Sequence, residues 1–461
     1  MENQFKSIFE KQKTYFLTDA TKTYEWRIDQ LTRLENMIKE NVQAFKEALA
    51  KDFKTAEFEQ DQEIFASLGA IEETKQSLKK WMEPELAELP KRMSDTGHKG
   101  YIYREPYGVS LIVGPFNAPV VLIIDPLLAA LSAGNTAIVK PSNSSSAVAA
   151  LFTQLIAQYF NEECVTAVQG NREAMTQLLE LPLDFIFFTG SIQVGKIVMK
   201  AAAENLTPVL LELGGQNAVI VDQTANLKEA ARKITWGATA FAGQWCVSPG
   251  YVYVHQSVAE EFVSECKIAL DELYGKDASK SEDYSRIISE KDVLRLAEVI
   301  KGANVVYGGN FDVESRYFEP TLVFPASWEE KVLEEEIFGP ILPIIPYDDI
   351  ATAIKVIKEK PKGLAAYIFS RDQQAIDLFI NSVSSGGGAV NQTNMQVFLT
   401  SLPFGGVGTS GLGKYFGKRG FDSLSNIKSI LFSDPDVTIN DFLPPFTESK
   451  KKDYLTWFLP A

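Results

Sequence analysis

A single cysteine lies among small residues in the run 241–250, and this setting suits a nucleophile. The thiolate is the reactive form, and a thiol with an ordinary pKa of ~8.5 carries little of it at neutral pH unless its surroundings help. Gly243 and Gly250 permit tight turns, and Pro249 is expected to stop the preceding helix. We therefore interpret Cys246 as a nucleophile that a substrate approaches closely, with a buried structural cysteine as the alternative.

A carboxylate stands upstream of this cysteine, between an apolar run and a pair of glycines. Glu212 follows Leu210 and Leu211 and precedes Gly214 and Gly215. Partial burial beside an apolar strand raises the pKa of a carboxyl group, and a weak acid of this kind serves as a general base. The sequence therefore combines a candidate nucleophile with a candidate base.

These two stretches, in this order and at this spacing, resemble the catalytic signatures of the aldehyde dehydrogenase superfamily. The resemblance extends over nearly the whole chain, and segments 283–289 and 401–408 are most similar to the class 3 branch. It implies that Cys246 adds to the carbonyl of an aldehyde and that Glu212 activates the water that hydrolyses the resulting thioester. It also implies NAD or NADP as the cofactor and requires no metal.

The resemblance assigns a role to an asparagine in the segment 114–119. On its residues alone this segment is a proline-punctuated turn after a predicted strand. In the family it resembles, the side-chain amide of Asn117 and the backbone N–H of Cys246 hold the developing oxyanion. Phe116 and Ala118 stand where the family commonly has a tryptophan and an aromatic residue, so a different pocket shape is expected here.

A glycine pattern after the predicted strand 184–188 fits phosphate binding. Gly190, Ser191 and Gly195 lead into a predicted helix. Phosphates approach backbone N–H groups at the positive end of a helix dipole, although Gly-Ser is also an ordinary helix cap. In the family it resembles, Gly190 and Ser191 contact the cofactor pyrophosphate.

Two further segments are assigned to the cofactor through the resemblance. Lys140 and Asn143 resemble the segment that holds the adenosine ribose, and the alternative is that Asn143 caps the following helix. Glu336 and Phe338 resemble the glutamate that holds the nicotinamide ribose and the phenylalanine that flanks the ring. Without the resemblance, the acidic run 334–336 would be interpreted as a solvated helix face.

The choice between NAD and NADP is expected to depend on Asn143. NAD-selective relatives commonly carry a glutamate at this point, whose charge repels a 2′-phosphate. Here that charge is missing, and Lys140 offers a cation three residues earlier. We expect NADP to be accepted as well as NAD.

Composition excludes several other classes of function. With 461 residues, 45% hydrophobic and 23% charged, the chain is typical of a globular protein of two or three domains. A net charge of -15 without a basic block argues against nucleic acid as a partner. Three cysteines and two histidines form no metal-ligand pattern, so a reducing cytoplasm and no metal are expected. No apolar run approaches about 20 residues, so neither a signal peptide nor a membrane span is predicted.

The order of predicted elements indicates an α/β protein with two doubly wound domains, and the resemblance implies a small β arm formed by the segments outside them. Helical periodicity fills the first residues, and from position 107 short apolar strands alternate with helices, as in parallel sheets that bind ligands at the carboxyl ends of their strands. The predicted parts are a Rossmann-like dinucleotide-binding domain (1–82 and 106–212), a catalytic domain (213–400), an oligomerisation arm (83–105 and 401–430) and a C-terminal tail (431–461). In the family it resembles, such an arm pairs two subunits, so a homodimer is expected.

The tail combines lysines 450–452 with an apolar tip. The tip is too short to span a membrane, so we expect it to dock on the protein itself rather than on a bilayer.

Two alternatives to hydrolytic aldehyde oxidation stay open. In an acylating relative, coenzyme A rather than water takes the acyl group, although the presence of Glu212 argues against this. A non-catalytic binding protein that kept the fold is the other alternative. By resemblance, segment 391–402 lines the substrate entrance, and its apolar residues favour medium-chain or aromatic aldehydes.

Overall fold

The computed structural model describes residues 3–457. Its α-helices are α1 Lys6–Phe16, α2 Tyr24–Lys39, α3 Val42–Asp52, α4 Glu57–Trp81, α5 Lys91–Asp95, α6 Val121–Ala133, α7 Ser146–Tyr159, α8 Arg172–Leu179, α9 Ile192–Glu204, α10 Leu227–Thr239, α11 Ala259–Tyr274, α12 Glu290–Val299, α13 Ile350–Glu359, α14 Gln373–Ser382, α15 Gly417–Ser423 and α16 Glu448–Leu455.

The strands are β1 Glu85–Ala87, β2 Lys99–Pro106, β3 Val109–Val113, β4 Thr136–Lys140, β5 Val165–Ala167, β6 Phe185–Gly190, β7 Val209–Leu213, β8 Asn217–Val221, β9 Pro249–His255, β10 Val305–Tyr307, β11 Phe311–Asp312, β12 Tyr317–Phe318, β13 Thr321–Val323, β14 Ile341–Tyr347, β15 Ala365–Phe369, β16 Gly387–Val390, β17 Gly411–Leu412 and β18 Ser425–Phe432.

The first large sheet has the strand order β17-β7-β6-β3-β4-β5. Adjacent strands in this sheet are parallel, except that β17 runs antiparallel to β7. Every residue of β3 and β4 is buried because helices cover both faces. Leu111 belongs to the core beneath α8 and α9, whereas the adjacent Ile112 belongs to the core beneath α2, α4 and α6. The predicted doubly wound arrangement is therefore confirmed for this sheet.

The second large sheet has the order β10-β13-β14-β9-β8-β15-β16 and is parallel except at its β10 edge. Its strands share one core with α10, α11, α13 and α14. Asn226 begins α10 by accepting a hydrogen bond from the Glu229 N–H, and the helix then runs over the predicted residues 227–239. The α/β class with parallel sheets is confirmed by these two sheets.

A small antiparallel sheet, β1-β2-β18, joins the segment after α4 to residues 425–432. The predicted extent of the arm, 401–430, is wrong at both ends. β17 pairs with the first large sheet, α15 packs on α4 and α6, and only the last strand, β18, joins the arm and runs through Phe432. The reason is burial: Tyr415, Phe421 and Leu424 are fully enclosed in the core of the first sheet.

The described part of the tail contacts the arm. Arg92 of α5 forms an ion pair with Asp441 at 2.9 Å, and the Trp457 indole N–H donates to the same carboxylate at 3.0 Å. The last residues of the predicted tail, 458–461, lie outside the described residues. Within residues 3–457 no helix is long and apolar enough to cross a bilayer.

Candidate active site

A cavity of about 580 Å³ brings together nearly all of the residues predicted from the sequence. The last residues of four parallel strands, β3, β4, β6 and β7, line it, as expected for a parallel sheet. The second sheet contributes residues from the amino-terminal ends of its strands, since Cys246 lies in the loop that precedes β9. The predicted residues that line the cavity are Asn117, Lys140, Asn143, Gly190, Ser191, Glu212, Cys246, Glu336 and Phe338.

The loop that carries Cys246 begins earlier than the sequence indicated. Pro249 was expected to end the preceding helix, but α10 already stops at Thr239, and Pro249 is the first residue of β9. Phe241 and Ala242 have left-handed backbone angles, φ 57° and 52°, and these conformations break the helix. Gly243 is also left-handed, and a Cβ there would lie 2.2 Å from Gly339 backbone atoms.

Two buried side chains hold the strained turn. The Phe241 N–H donates to Glu59 Oε1 at 2.6 Å, and Lys54 Nζ lies 3.5 Å from the centroid of the Phe241 ring. Burial raises the pKa of Glu59 to about 7. Backbone strain of this kind persists only where surrounding contacts over-determine it.

Hydrogen bonds also fix the residues around the thiol. Asn217 Nδ2 donates to the Cys246 carbonyl at 2.9 Å and to the Ser248 carbonyl at 2.8 Å. The Tyr367 hydroxyl donates to the Val247 carbonyl at 2.8 Å. The backbone on both sides of the sulfur is thereby held in one position.

The Cys246 thiol sits between opposing electrostatic influences. Burial raises its pKa well above the ordinary value, and the Glu212 and Glu336 carboxyl groups add to this effect. The N–H groups of Cys246 and Val247 act in the opposite direction, because they stabilise the thiolate. Burial and the two carboxyl groups therefore favour the neutral thiol, so its reaction requires a nearby proton acceptor.

Glu212 is a buried carboxyl group close to the end of β7, opposite Gly411 of β17. Neither of its carboxyl oxygens has a hydrogen-bond partner among the described residues. Burial raises its pKa well above the ordinary value, and Lys414 opposes the shift. Such a group takes up a proton readily at neutral pH, as a general base must.

Asn117 presents a buried donor to the same cavity. It is 3% exposed, and its Nδ2 atom has no hydrogen-bond partner within the described part of the chain. Its backbone carbonyl accepts a hydrogen bond from Lys54 Nζ at 3.1 Å. Lys54 in turn forms an ion pair with Glu63, which accepts the Val120 N–H at 2.9 Å. An unpartnered buried amide is costly unless a ligand uses it, so the side chain is suited to stabilise an oxyanion.

The residues of the glycine pattern at the end of β6 have two different roles. Ser191 caps α9, since its hydroxyl accepts the Val194 N–H at 3.4 Å, and Gly190 and Ser191 both line the cavity. Gly195 does not line it. A Cβ at Gly195 would lie 2.6 Å from Leu213 Cδ2, so this glycine allows α9 to pack closely on β7.

Asn143 does not cap the following helix, which was the alternative to cofactor binding. Its Nδ2 donates to the Gly170 carbonyl at 2.6 Å. The start of α7 is held by Asp52 instead, which accepts the N–H groups of Ala147 and Val148 at 2.9 and 3.0 Å. Asn143 is exposed and lies at the rim of the cavity.

Lys140 ends β4 and is 7% exposed. Burial lowers the pKa of its ammonium group, and its Nζ makes only a long hydrogen bond, 3.4 Å, to the Pro141 carbonyl. This buried cation has donors to spare for a ligand in the cavity.

Glu336 does not lie on a solvated helix face. It follows a 3-10 turn at 331–333 and lines the cavity, whereas its neighbours Glu334 and Glu335 are exposed. Burial raises the pKa of Glu336 to about 7. A Cβ on Gly214 would lie 1.9 Å from its carboxyl oxygen, so the carboxyl group needs that glycine.

Aromatic rings enclose the cavity near the predicted ring-binding residue. Phe338 has a left-handed φ of 48° and packs edge-on against Phe116 with ring centroids 5.7 Å apart. Trp245, the neighbour of Cys246 in the chain, contacts Trp236 and Phe398, with ring centroids 6.0 and 5.8 Å apart. Phe398 belongs to the predicted entrance segment, which also exposes Met395, Leu399 and Leu402.

The cavity has the chemistry that a nicotinamide dinucleotide requires. The first turn of α9 has N–H groups that suit a phosphate, and Lys140 and Asn143 are polar donors on the cavity wall. A buried carboxyl group, Glu336, and a flat ring, Phe338, lie toward Cys246. Among residues 3–457 no cluster of three His, Cys, Asp or Glu side chains could hold a metal ion.

Several residues that shape the site were not predicted. Asn217 could have been found, because it stands in the same short run as Glu212. Lys54, Glu63 and Lys414 carried no signal, since each is one charged residue among many in the sequence. Only their burial beside the reacting groups shows what they do.

The comparisons with known proteins agree with the resemblance. The aldehyde dehydrogenase family model matches residues 2–430. The 4,4'-diaponeurosporen-aldehyde dehydrogenase of Staphylococcus aureus (strain NCTC 8325 / PS 47) is 41% identical over 447 residues, which cover 96% of this chain and 97% of the relative. The dimeric NADP-preferring aldehyde dehydrogenase of Mus musculus is 37% identical over 430 residues, covering 93% and 94%. The substrate-bound structure of Staphylococcus aureus AldH is similar with a TM-score of 0.96, 40% identity and 99% coverage of both chains.

Proposed function

The chain belongs to the aldehyde dehydrogenase family and is an NAD(P)-dependent aldehyde dehydrogenase, and we propose that Cys246, Glu212 and Asn117 carry out its reaction. One observation supports these roles above all. A cysteine sulfur, a buried carboxyl group without a partner and a buried amide N–H without a partner share one cavity in the described part of the chain. Such orphaned groups are retained where a reacting molecule uses them.

In the first step the Cys246 sulfur adds to the aldehyde carbonyl carbon. The thiol proton passes to a nearby carboxylate and from there to solvent before the hydrolysis step, and the N–H groups of Cys246 and Val247 stabilise the thiolate as it forms. The carbonyl oxygen becomes negatively charged, and Asn117 Nδ2 donates a hydrogen bond to it. The product of the addition is a thiohemiacetal on Cys246.

The cavity arranges the cofactor beside this adduct. When bound, NAD or NADP supplies the acceptor for the hydride that the thiohemiacetal loses. Glu336 and Phe338 would hold the nicotinamide half, and Lys140, Asn143 and the start of α9 the adenosine half. We therefore assign the first large sheet to the dinucleotide-binding domain and the second large sheet to the catalytic domain.

In the last step the thioester on Cys246 is hydrolysed. Glu212 takes a proton from a water molecule, whose oxygen adds to the thioester carbonyl, and the carbon–sulfur bond then breaks. The carboxylic acid leaves, and the sulfur regains its original state. A carboxyl group with a raised pKa suits this role, because it accepts the proton easily.

The test is an assay of aldehydes with NAD and NADP, with and without coenzyme A. We expect reduced cofactor and free carboxylic acid without coenzyme A, and no turnover by Cys246→Ala although it still binds cofactor. Cys266→Ala, which removes a buried thiol in α11 away from the cavity, is the matched control. Dependence on coenzyme A would favour the acylating reaction, and turnover by Cys246→Ala would contradict the mechanism.

The preferred substrate class is inferred from an aromatic cluster beside the cysteine loop and from the apolar entrance segment. Trp236, Trp245 and Phe398 lie next to the cysteine loop, and the entrance exposes apolar side chains. The Staphylococcus aureus relative is named as a 4,4'-diaponeurosporen-aldehyde dehydrogenase. We therefore expect aromatic and medium-chain aldehydes to be preferred. Higher kcat/KM for short polar semialdehydes would contradict this preference.

A homodimer in the cytoplasm completes the proposal. One strand of the arm, β18, exposes apolar side chains, with Ile427 56% and Leu431 52% exposed, and an isologous pairing would cover them. The mouse relative is named as dimeric. The reaction needs a reduced thiol at Cys246, and a reducing compartment preserves it.

A further inference from the structure

The side chain of Lys414 is half-buried next to the proposed general base, Glu212. Lys414 follows β17, in which Gly411 pairs with Glu212 of β7. Its Nζ atom donates hydrogen bonds to the carbonyl oxygens of Gly386 and Gly405, so the ammonium group is held in place by backbone. Burial lowers the pKa of Lys414, and the Glu212 carboxylate opposes that shift.

Gly405 is the contact that the two side chains share. A Cβ there would lie 2.8 Å from Glu212 Oε1 and 3.0 Å from Lys414 Cδ. The carboxyl group and the lysine stem therefore pack against the same glycine, yet Glu212 makes no hydrogen bond to any described residue. The lysine acts on the carboxylate through its charge, which is effective over several ångströms inside a protein.

The other ionisable groups around Glu212 do not offer it a positive charge. Cys246 and Tyr415 both face it, and each has a pKa raised by burial and by the Glu212 carboxylate. Glu336 lies on the Cys246 side of the cavity and is itself a carboxyl group. Within the described residues, Lys414 is the cation that acts on Glu212.

We propose that Lys414 is a positioning residue for hydrolysis of the thioester. Its fixed ammonium group favours the carboxylate form of Glu212, which must be charged to take a proton from the attacking water. This inference rests on the proposed role of Glu212 as general base. Lys414 does not line the cavity, so its effect is expected in the pH dependence of one step.

The experiment compares Lys414→Gln with Lys414→Arg. Glutamine keeps a donor toward the two carbonyls but loses the charge, whereas arginine keeps the charge. Pre-steady-state formation of reduced cofactor and the steady-state rate are measured with the full-length chain between pH 6 and pH 10 to separate acylation from hydrolysis. Lys418→Gln, an exposed lysine of α15, is the control.

We expect Lys414→Gln to move the acidic limb of the hydrolysis rate by about one pH unit upward, so that hydrolysis is about tenfold slower below the limb and approaches the wild-type rate above it. A burst of reduced cofactor then appears at neutral pH, because hydrolysis limits turnover. Lys414→Arg and Lys418→Gln should keep the wild-type limb. Lys414→Met serves as a second neutral variant if glutamine disturbs the fold, as judged by cofactor binding and thermal unfolding.

An unchanged limb in the folded neutral variant would overturn the proposal, whether the rate stays the same or falls uniformly. A uniform fall would indicate a purely structural lysine. Glu212→Gln in the same series separates this failure from that of the proposed function. If Glu212→Gln accumulates acyl-enzyme on Cys246 while the Lys414 variants keep the wild-type limb, only the role of Lys414 is wrong.

Discussion

Lys54 and Glu63 form an ion pair whose side chains are 0% and 1% exposed. The pair holds the single loop between β3 and α6, because Lys54 Nζ donates to the Asn117 carbonyl and Glu63 accepts the Val120 N–H at the start of α6. A buried charge without its partner is costly, so each member depends on the other. The loop that carries Asn117, the proposed oxyanion donor, is thus held by an ion pair whose two residues are distant from it in sequence.

Lys54→Met should destabilise the protein by about 3–5 kcal/mol, because it leaves the Glu63 carboxylate buried and unpaired. The double variant Lys54→Met/Glu63→Gln should recover a large part of this loss, since glutamine is neutral and its oxygen still accepts the Val120 N–H. Denaturant unfolding of both variants checks this. Lys91→Met, which breaks an exposed pair with Asp95, is the control and should cost less than about 1 kcal/mol. Equal losses in the single and double variants would contradict the argument.

Glu212→Gln should leave hydride transfer intact and slow hydrolysis, because the amide cannot take a proton from water. We expect a pre-steady-state burst of reduced cofactor and an acyl adduct on Cys246 by mass spectrometry. Glu204→Gln, at the exposed end of α9, should behave like wild type. Absence of the adduct together with an unaltered steady state would remove Glu212 from its role.

Asp125→Asn should stabilise the protein at pH 8 and have little effect near pH 4. Burial raises the pKa of Asp125 from 3.8 to about 7, and its Oδ1 atom has no partner in the described part of the chain. Because the folded state binds this proton more tightly, the stability cost is absent below pH 3.8, grows as the pH rises to about 7 and is constant above that value. Thermal unfolding at the two pH values tests the sign, with exposed Asp95→Asn as control. An equal gain at both would refute it.

Asn143→Glu should lower kcat/KM for NADP about ten- to a hundredfold relative to NAD, through a repulsion of roughly 1–3 kcal/mol. The glutamate would bring a negative charge to the rim of the cavity, close to the adenosine ribose of the bound cofactor. Asn143→Gln is the matched control, because it keeps a donor for the Gly170 carbonyl without adding charge. Wild type without NADP activity, or an unchanged ratio in Asn143→Glu, would show that this residue does not govern cofactor choice.

Ile427→Glu/Leu431→Glu should convert a dimer to a monomer of the chain mass, 51.2 kDa. The two side chains lie on one face of β18, and charges there oppose burial in an interface. Sedimentation at micromolar concentration measures the change, with Leu17→Glu as a control at an exposed position outside the arm. A monomeric wild type would contradict the dimer.

Local patterns in the sequence determined the elements and the main reacting groups. Period-2 and continuous apolar runs predicted β3 and β8, and the capped, amphipathic run 227–239 predicted α10 with its observed bounds. The short strands β5, β10 to β13 and β17 carry too few residues to show a period, and so they were missed. Cys246 and Glu212 were recognisable because glycines and prolines mark their loops.

Only the tertiary structure decided which distant residues meet at these groups. The sequence does not show that Lys54 reaches Asn117, that Lys414 lies beside Glu212, or that segment 411–424 packs into the first sheet rather than the arm. Propensity and periodicity describe neighbours along the chain, whereas burial and charge at a site depend on contacts between residues far apart in sequence. The ionisation of the candidate base is therefore a property of the folded protein, since burial and Lys414 together set it.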